Sequence, residues 1–373
     1  MQLSNILSTL MAVGLAVAHP GHDVTQEITE RRDFLASNKN DLSHCADKLK
    51  ARGLETRNIQ RRSDLVKGLL KKRGIQAPPS LNKSHESTQA YTAATDMSVI
   101  FASNKSCILS PEQIDGPYYV AGEAIRQDVV EDQKGVPLAL DIQIVDMDTC
   151  EPVTGAYLDI WHCNSTGVYG GVAVFGNGVG SSDKSNLNNT WLRGAQKTDK
   201  DGAVQFSTLF PGFYQGRATH IHVAVHLNAT PLANGTLIDT TAAHVGQMYF
   251  DQDLIAEVNK LAPYTGNKQR FTTNAQDLVL NGVHGDSDPI MEYTRLGEGL
   301  EDGLLAWLSI GINRTYVHEI RPAATHFETG GEPNQNGGMF PGGPFPSGFP
   351  TGGLPPGMSW FPPMPTSSST STP

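Results

Sequence analysis

The segment Leu138-Ala139-Leu140-Asp141-Ile142-Gln143-Ile144 alternates large apolar side chains with small or polar ones. A period of two puts every second side chain on one face of a pleated strand, so the run predicts a half-buried β-strand. Asp146-Met147-Asp148-Thr149 supplies the turn that follows. Ala156, Leu158 and Ile160 then alternate with Tyr157, Asp159 and Trp161 on a second strand. Thr198-Asp199-Lys200-Asp201-Gly202 is another turn, leading to Val204 and Phe206, and His220 to Leu227 alternates once more. Short strands divided by Gly/Asp turns predict a mainly-β chain with an antiparallel β-sandwich core.

Outside this core, from 107 to 328, the pattern changes. Ile28, Phe34, Leu35, Leu42, Cys45 and Leu49 recur at near-helical spacing with no intervening Pro, so residues 19–74 predict a helical segment. Its basic clusters, Arg61-Arg62 and Lys71-Lys72-Arg73, have two readings. They mark sites for a dibasic-cutting protease, which makes residues 19–73 a propeptide, or they form a solvated helix face. Residues 75–106 are polar and read as a linker. From 329 to 373, Gly, Pro, Phe, Ser and Thr dominate with too little aliphatic content for a core, which predicts a disordered tail.

The 373 residues carry a formal net charge of -10. That balance argues against nucleic acid or an anionic membrane surface as partner, since both demand a basic face. The apolar run Ile6 to Val17 ends in Ala16-Val17-Ala18, a small-x-small pattern, so residues 1–18 read as a secretory signal too short to span a bilayer. Export to an extracellular location agrees with sequons at Asn82, Asn104, Asn164, Asn188, Asn228, Asn234 and Asn313. Cys45, Cys107, Cys150 and Cys163 allow three pairings in an oxidising compartment. Cys150 with Cys163 is disfavoured, because an extended strand lies between them.

The most informative chemistry lies in Arg217-Ala218-Thr219-His220-Ile221-His222-Val223. On a strand, His220 and His222 share a face and can reach one metal ion. His226 shares that face, but four residues amount to roughly 13 Å along a strand, so it reads as structural or exposed. Two turns each present a tyrosine: Gly167-Val168-Tyr169, and Phe210-Pro211-Gly212-Phe213-Tyr214. Phenolate is a hard anionic donor that suits ferric iron, and two neutral His with two phenolates leave Fe(III) an open position. His162 reads as structural.

These elements together resemble the intradiol ring-cleavage dioxygenases, the family of catechol 1,2-dioxygenase and protocatechuate 3,4-dioxygenase, in its secreted fungal-type branch. The resemblance rests on Asp115-Gly116-Pro117-Tyr118-Tyr119, Gly155 through Trp161 to Tyr169, Arg193-Gly194 with Thr198-Asp199 and Gly202, Arg217 through His222, and Gln247-Met248-Tyr249-Phe250. It implies non-haem Fe(III) held by Tyr169, Tyr214, His220 and His222. Tyr214 would be the ligand that leaves when substrate binds and would take one of its protons. Arg217 would stabilise negative charge on the substrate ring, Gln247 would offer a hydrogen bond near the iron, and Gly116, Pro117 and Tyr118 would line the substrate cavity. The partners implied are a small aromatic diol and O2, the product is a muconate-type diacid, and a homodimer is compatible. Tyr214 precedes Arg217 by only three residues, a shorter loop than in the bacterial enzymes of the family. The rival reading is a non-catalytic secreted β-sandwich that binds a wall or polymer. No G-x-S-x-G element supports a hydrolase.

Overall fold

The alternating runs become β1 (Pro137–Asp146), β2 (Tyr157–Trp161), β4 (Ala203–Leu209) and β5 (His220–His226), and the sandwich adds β3 (Arg193–Lys197), β6 (His244–Tyr249), β7 (Glu292–Arg295) and β8 (Leu304–Ile312). The computed structural model describes residues 42–73, 106–107, 116–174, 176–281 and 288–334. One sheet has the order β6-β5-β2-β3, with antiparallel neighbours throughout. In the other, β1 lies between β4 and β8, β7 pairs with β8, and the short Ser106–Cys107 strand also joins β8. The sandwich is mostly antiparallel as expected, but β8 runs parallel to β1, from Leu304 beside Leu138 to Ile312 beside Asp146.

The core lies between the two sheets. Leu138, Leu140, Ile142 and Ile144 of β1 meet Leu158 and Ile160 of β2 and Ile221, Val223 and Val225 of β5 in one buried cluster. Each strand thus turns its branched aliphatic residues inward, and burying each contributes about 1.5–3 kcal/mol.

The opposite face of β1 departs from the half-buried expectation: Ala139, Asp141 and Gln143 are buried too. The cause is the N-terminal segment, whose described part forms a short 3-10 turn (Ser43–Cys45), α1 (Ala46–Ala51) and α2 (Leu54–Arg73). Gly53, at φ +63°, separates the two helices. Leu54, Asn58, Arg62, Val66 and Leu70 recur every four residues of α2 and form its buried stripe. Val66 and Leu70 pack on Ala139, Leu305 and Trp307. Asn58 Nδ2 donates to Gln143 Oε1 at 2.8 Å.

Arg61 and Arg62 are therefore not a solvated face. Both donate to Asp141, Arg61 through Nε at 2.8 Å and Arg62 through Nε at 3.0 Å. Arg62 is fully buried, its guanidinium 5.4 Å from the Trp307 ring centre. A disulfide joins Cys45 to Cys150, 105 residues apart in sequence, and Cys163 is a buried free thiol. Closing so long a loop removes about 4–5 kcal/mol of unfolded-chain entropy. The expectations for residues 1–41, 74–105 and 335–373 fall outside the described residues. At the far end, Gly330–Pro333 pairs with Ala324–Phe327 as a hairpin inside the stretch expected as tail. Among the described residues no helix is long and apolar enough to cross a membrane.

Burial pushes the Asp141 carboxyl up, but the hydrogen bond from Arg61 and the charges of Arg62 and Arg61 outweigh it and hold it below the usual carboxylate range. Its stabilising contribution is therefore present above the unfolded value of about 3.9 and is lost as pH falls through the folded one. Asp141→Ala should lower the unfolding free energy at neutral pH by about 3–5 kcal/mol, because it strands a buried guanidinium. Denaturant titration at stepped pH tests this: the gap to wild type should shrink in acid, and a change under about 1 kcal/mol at pH 7 would contradict it.

Candidate active site

At the start of β5 the strand pleat sends Ile221 into the sandwich core and His220 and His222 to the other face. Both imidazoles are buried, and their Nε2 atoms lie 3.0 Å apart. His220 Nδ1 donates to the Ala218 carbonyl at 2.6 Å, which leaves the Nε2 lone pair directed at its neighbour. His222 stacks on Trp161 of β2, with ring centres 4.8 Å apart and planes within 5°. Gln247 of β6, opposite His222 in the ladder, brings its amide nitrogen to 3.4 Å from Nδ1.

The two turn tyrosines join this pair. Tyr214 brings its hydroxyl to 3.4 Å from His220 Nε2. Tyr169 lies with its ring centre 5.4 Å from that of Tyr214 and 6.1 Å from that of His222. The loop presenting Tyr169 is fixed by side-chain amides. Asn164 Oδ1 accepts from the backbone of Thr166 and Val168. Asn177 exchanges bonds of 2.7 and 2.9 Å with the Tyr169 backbone, and Asn186 adds one of 2.8 Å. Arg193 of β3 donates to the Gly170 and Tyr118 carbonyls and lies 6.0 Å from the Tyr169 ring centre.

Of the residues expected to line the substrate cavity, Tyr118 stacks on Tyr169 at 4.4 Å and meets Tyr214 edge-on at 5.5 Å. Gly116 is at φ +63°, and a β-carbon there would sit 3.1 Å from His222 Cε1. Pro117, between them, is half-buried. Arg217 is fully buried beside these groups. Its Nε meets both carboxylate oxygens of Asp277, at 3.1 and 3.3 Å, and its Nη2 donates to Tyr249 at 2.7 Å and to Gln247. Every predicted site residue thus falls in one region. His162 and His226 do not: His162 bonds the Cys163 carbonyl and Thr208, and His226 bonds the Thr241 carbonyl.

The electrostatics favour uncharged ligand groups while no cation is bound. Burial is the main cause holding the Tyr169 and Tyr214 phenols well above their ordinary pKa, and burial with the Arg217 charge holds His220 well below its own. A nearby cation reverses that preference for the phenols. The Tyr169 hydroxyl is buried with no hydrogen-bond partner among the described residues, a costly arrangement for a polar atom. Two imidazole nitrogens and two phenol oxygens converge here, with the Asp277 carboxylate already bonded to Arg217. That donor set fits a hard trivalent transition metal.

Sequence reasoning assigned no role to Trp161, Arg193, Tyr249 or Asp277. Asp277 carries a local signal, an Asp just before the short Leu278–Asn281 helix, where it caps the Val279 and Leu280 amides at 2.8 and 3.1 Å. Its bond to Arg217 spans 60 residues and has no local signature. Gly116→Ala should cost about 1–2 kcal/mol for the left-handed backbone alone and displace the His222 ring. Chemical denaturation with NMR of the histidine rings checks this, and unchanged stability with an unmoved His222 signal would contradict it.

Residues 114–276 match the family described as Dioxygenase. Catechol 1,2-dioxygenase 1 of Acinetobacter lwoffii is 36% identical over 110 residues, which cover 28% of this chain and 32% of that protein. The chain thus spans about a third of the length of that curated relative. An intradiol ring-cleavage dioxygenase from Tetranychus urticae is 32% identical, covering 56% of this chain and 97% of that one, with a TM-score of 0.45. The dioxygenase domain of a dioxygenase carbohydrate-binding protein fusion from Streptomyces sp. SirexAA-E is 24% identical, covering 54% and 97%, with a TM-score of 0.34.

Proposed function

The chain belongs to the intradiol ring-cleavage dioxygenase family, and from that premise we propose that it is a non-haem Fe(III) enzyme that opens a small aromatic diol between its two hydroxylated carbons with O2, giving a muconate-type diacid. The observation that carries the reading is the buried convergence of Tyr169, Tyr214, His220 and His222, with their Nε2 pair at 3.0 Å and an unpartnered Tyr169 hydroxyl. These four residues would hold the metal. Fe(III) held there would supply Lewis acidity that makes the diol ring reactive towards O2.

The chain's own groups do the rest. Tyr214 Oη, near the His220 nitrogen, would take a proton from a substrate hydroxyl as the phenolate that a bound cation favours. Arg217 presents a fixed positive charge, held on one side by Asp277 and on the other by Gln247 and Tyr249. Tyr118 and Trp161 pack against the ligand rings and keep water away from them. A non-catalytic binding module has no need of four such groups buried together.

We place the protein outside the cell. In support, the Cys45–Cys150 disulfide suits an oxidising compartment, and the sequon residues Asn228 and Asn234 are exposed. The helical segment 42–73 is read as a lasting part of the domain: the disulfide and the Asp141 pairs would retain it even after a cut at its basic end.

The iron-loaded protein should show a visible tyrosinate-to-Fe(III) band that moves to longer wavelength when catechol is added without O2. Tyr169→Phe should weaken that band. A protein that stays colourless after iron loading would contradict the proposal.

A further inference from the structure

We propose that Asp277, one residue beyond the stretch matched by the family, is the positioning residue that holds Arg217 in its working orientation and ties it to the start of the histidine strand. The inference rests on the dioxygenase reading above for its catalytic consequence, but not for its geometry. Asp277 and Arg217 are both fully buried, and the Arg217 Nε–H meets the two carboxylate oxygens at 3.1 and 3.3 Å. The same carboxylate accepts the Ala218 backbone N–H at 2.6 Å. The carbonyl of that residue in turn receives the Nδ1–H of His220 at 2.6 Å. One carboxylate therefore fixes a guanidinium and, through the single residue Ala218, the imidazole beside it.

Its other contacts anchor it. Asp277 Oδ1 also accepts the Val279 and Leu280 amides, so the carboxylate sits rigidly at the head of a helical turn. Arg217 is held from the far side by Tyr249 and Gln247, both on β6. The guanidinium thus bridges β6 and the 273–281 segment, and its direction is set by Asp277, the acidic member of that set. A long, flexible side chain gains a defined direction in this way, and the buried positive charge gains a counter-charge. Asp277 acts on the site through its bonds to Arg217 and Ala218, and its charge also acts on the Tyr214 phenol.

The test is a double-mutant cycle on the full-length chain, using Asp277→Asn, Arg217→Gln and the pair, with catechol as substrate. Asp277→Asn should retain the iron-tyrosinate band yet lose about 100-fold in kcat, with a smaller change in KM, the scale expected when a positioned group is displaced by about 1 Å. In the Arg217→Gln background the same substitution should cost less than about twofold, because coupled neighbours are not additive. Independent losses in the two backgrounds would overturn the proposal, as would wild-type kcat in Asp277→Asn. Thermal unfolding of the four iron-free proteins supplies a readout that needs no turnover. The Tm loss from Asp277→Asn should largely vanish once Arg217 is gone, and an undiminished loss would overturn the positioning role. If the wild type binds no iron and opens no diol while the unfolding coupling persists, the dioxygenase reading fails and the Arg217–Asp277 link stands.

Discussion

The structure depends on the pleat of one strand. With Ile221 in the sandwich core, His220 and His222 have no choice but to emerge together on the opposite face, where their Nε2 atoms meet at 3.0 Å. Slipping the register by one residue would bury both imidazoles in the aliphatic core and expose Ile221 to the site. The ladders to β2 and β6 prevent this slip, and they also deliver Trp161 and Gln247 opposite His222. The aliphatic core thus does more than stabilise the fold. It sets the angle from which two ligand nitrogens approach a common point.

Around that point the balance of charge is informative. Arg217 is a buried positive group beside the site, and Asp277 accompanies it with no water-facing surface for either. Both phenols and the His220 imidazole are held toward their neutral forms by burial. A trivalent ion entering such a set would be partly offset by the two phenolates it creates, leaving one positive charge, since its charge reverses the preference that burial imposes. The neutral site and the ion-bearing site therefore differ in protonation more than in packing. Arg193, bonded to Glu123 and reaching the carbonyls of Gly170 and Tyr118, braces the tyrosine loops from the sheet side.

What the sequence made legible follows from how local each signal is. Strand alternation, the His-x-His pair and the two tyrosine-bearing turns are written in adjacent residues, and all reappear in the fold. Arg61-Arg62 read as a protease site or a solvated helix face because Asp141, which both of them pair with, lies 80 and 79 residues away. For the same reason β1 read as half-buried: nothing within it announces the helix on its outer face. Tyr249 sits inside the Gln247-Met248-Tyr249-Phe250 motif, yet its bond to Arg217 crosses from β6 to the loop before β5 and could not be read from the motif. The disfavoured Cys150–Cys163 bridge is indeed absent, while the bridge to Cys45 needs the docked helices to bring the two residues within a Cα separation of 5.3 Å.

The measurement that reaches the central claim most directly is product analysis of the iron-loaded protein turning over catechol under ¹⁸O2. Cleavage between the hydroxylated carbons at this site predicts a muconate-type diacid that carries both labelled oxygen atoms. A hydroxymuconic semialdehyde from cleavage beside the diol, or an intact ring after exposure to O2, would contradict the account.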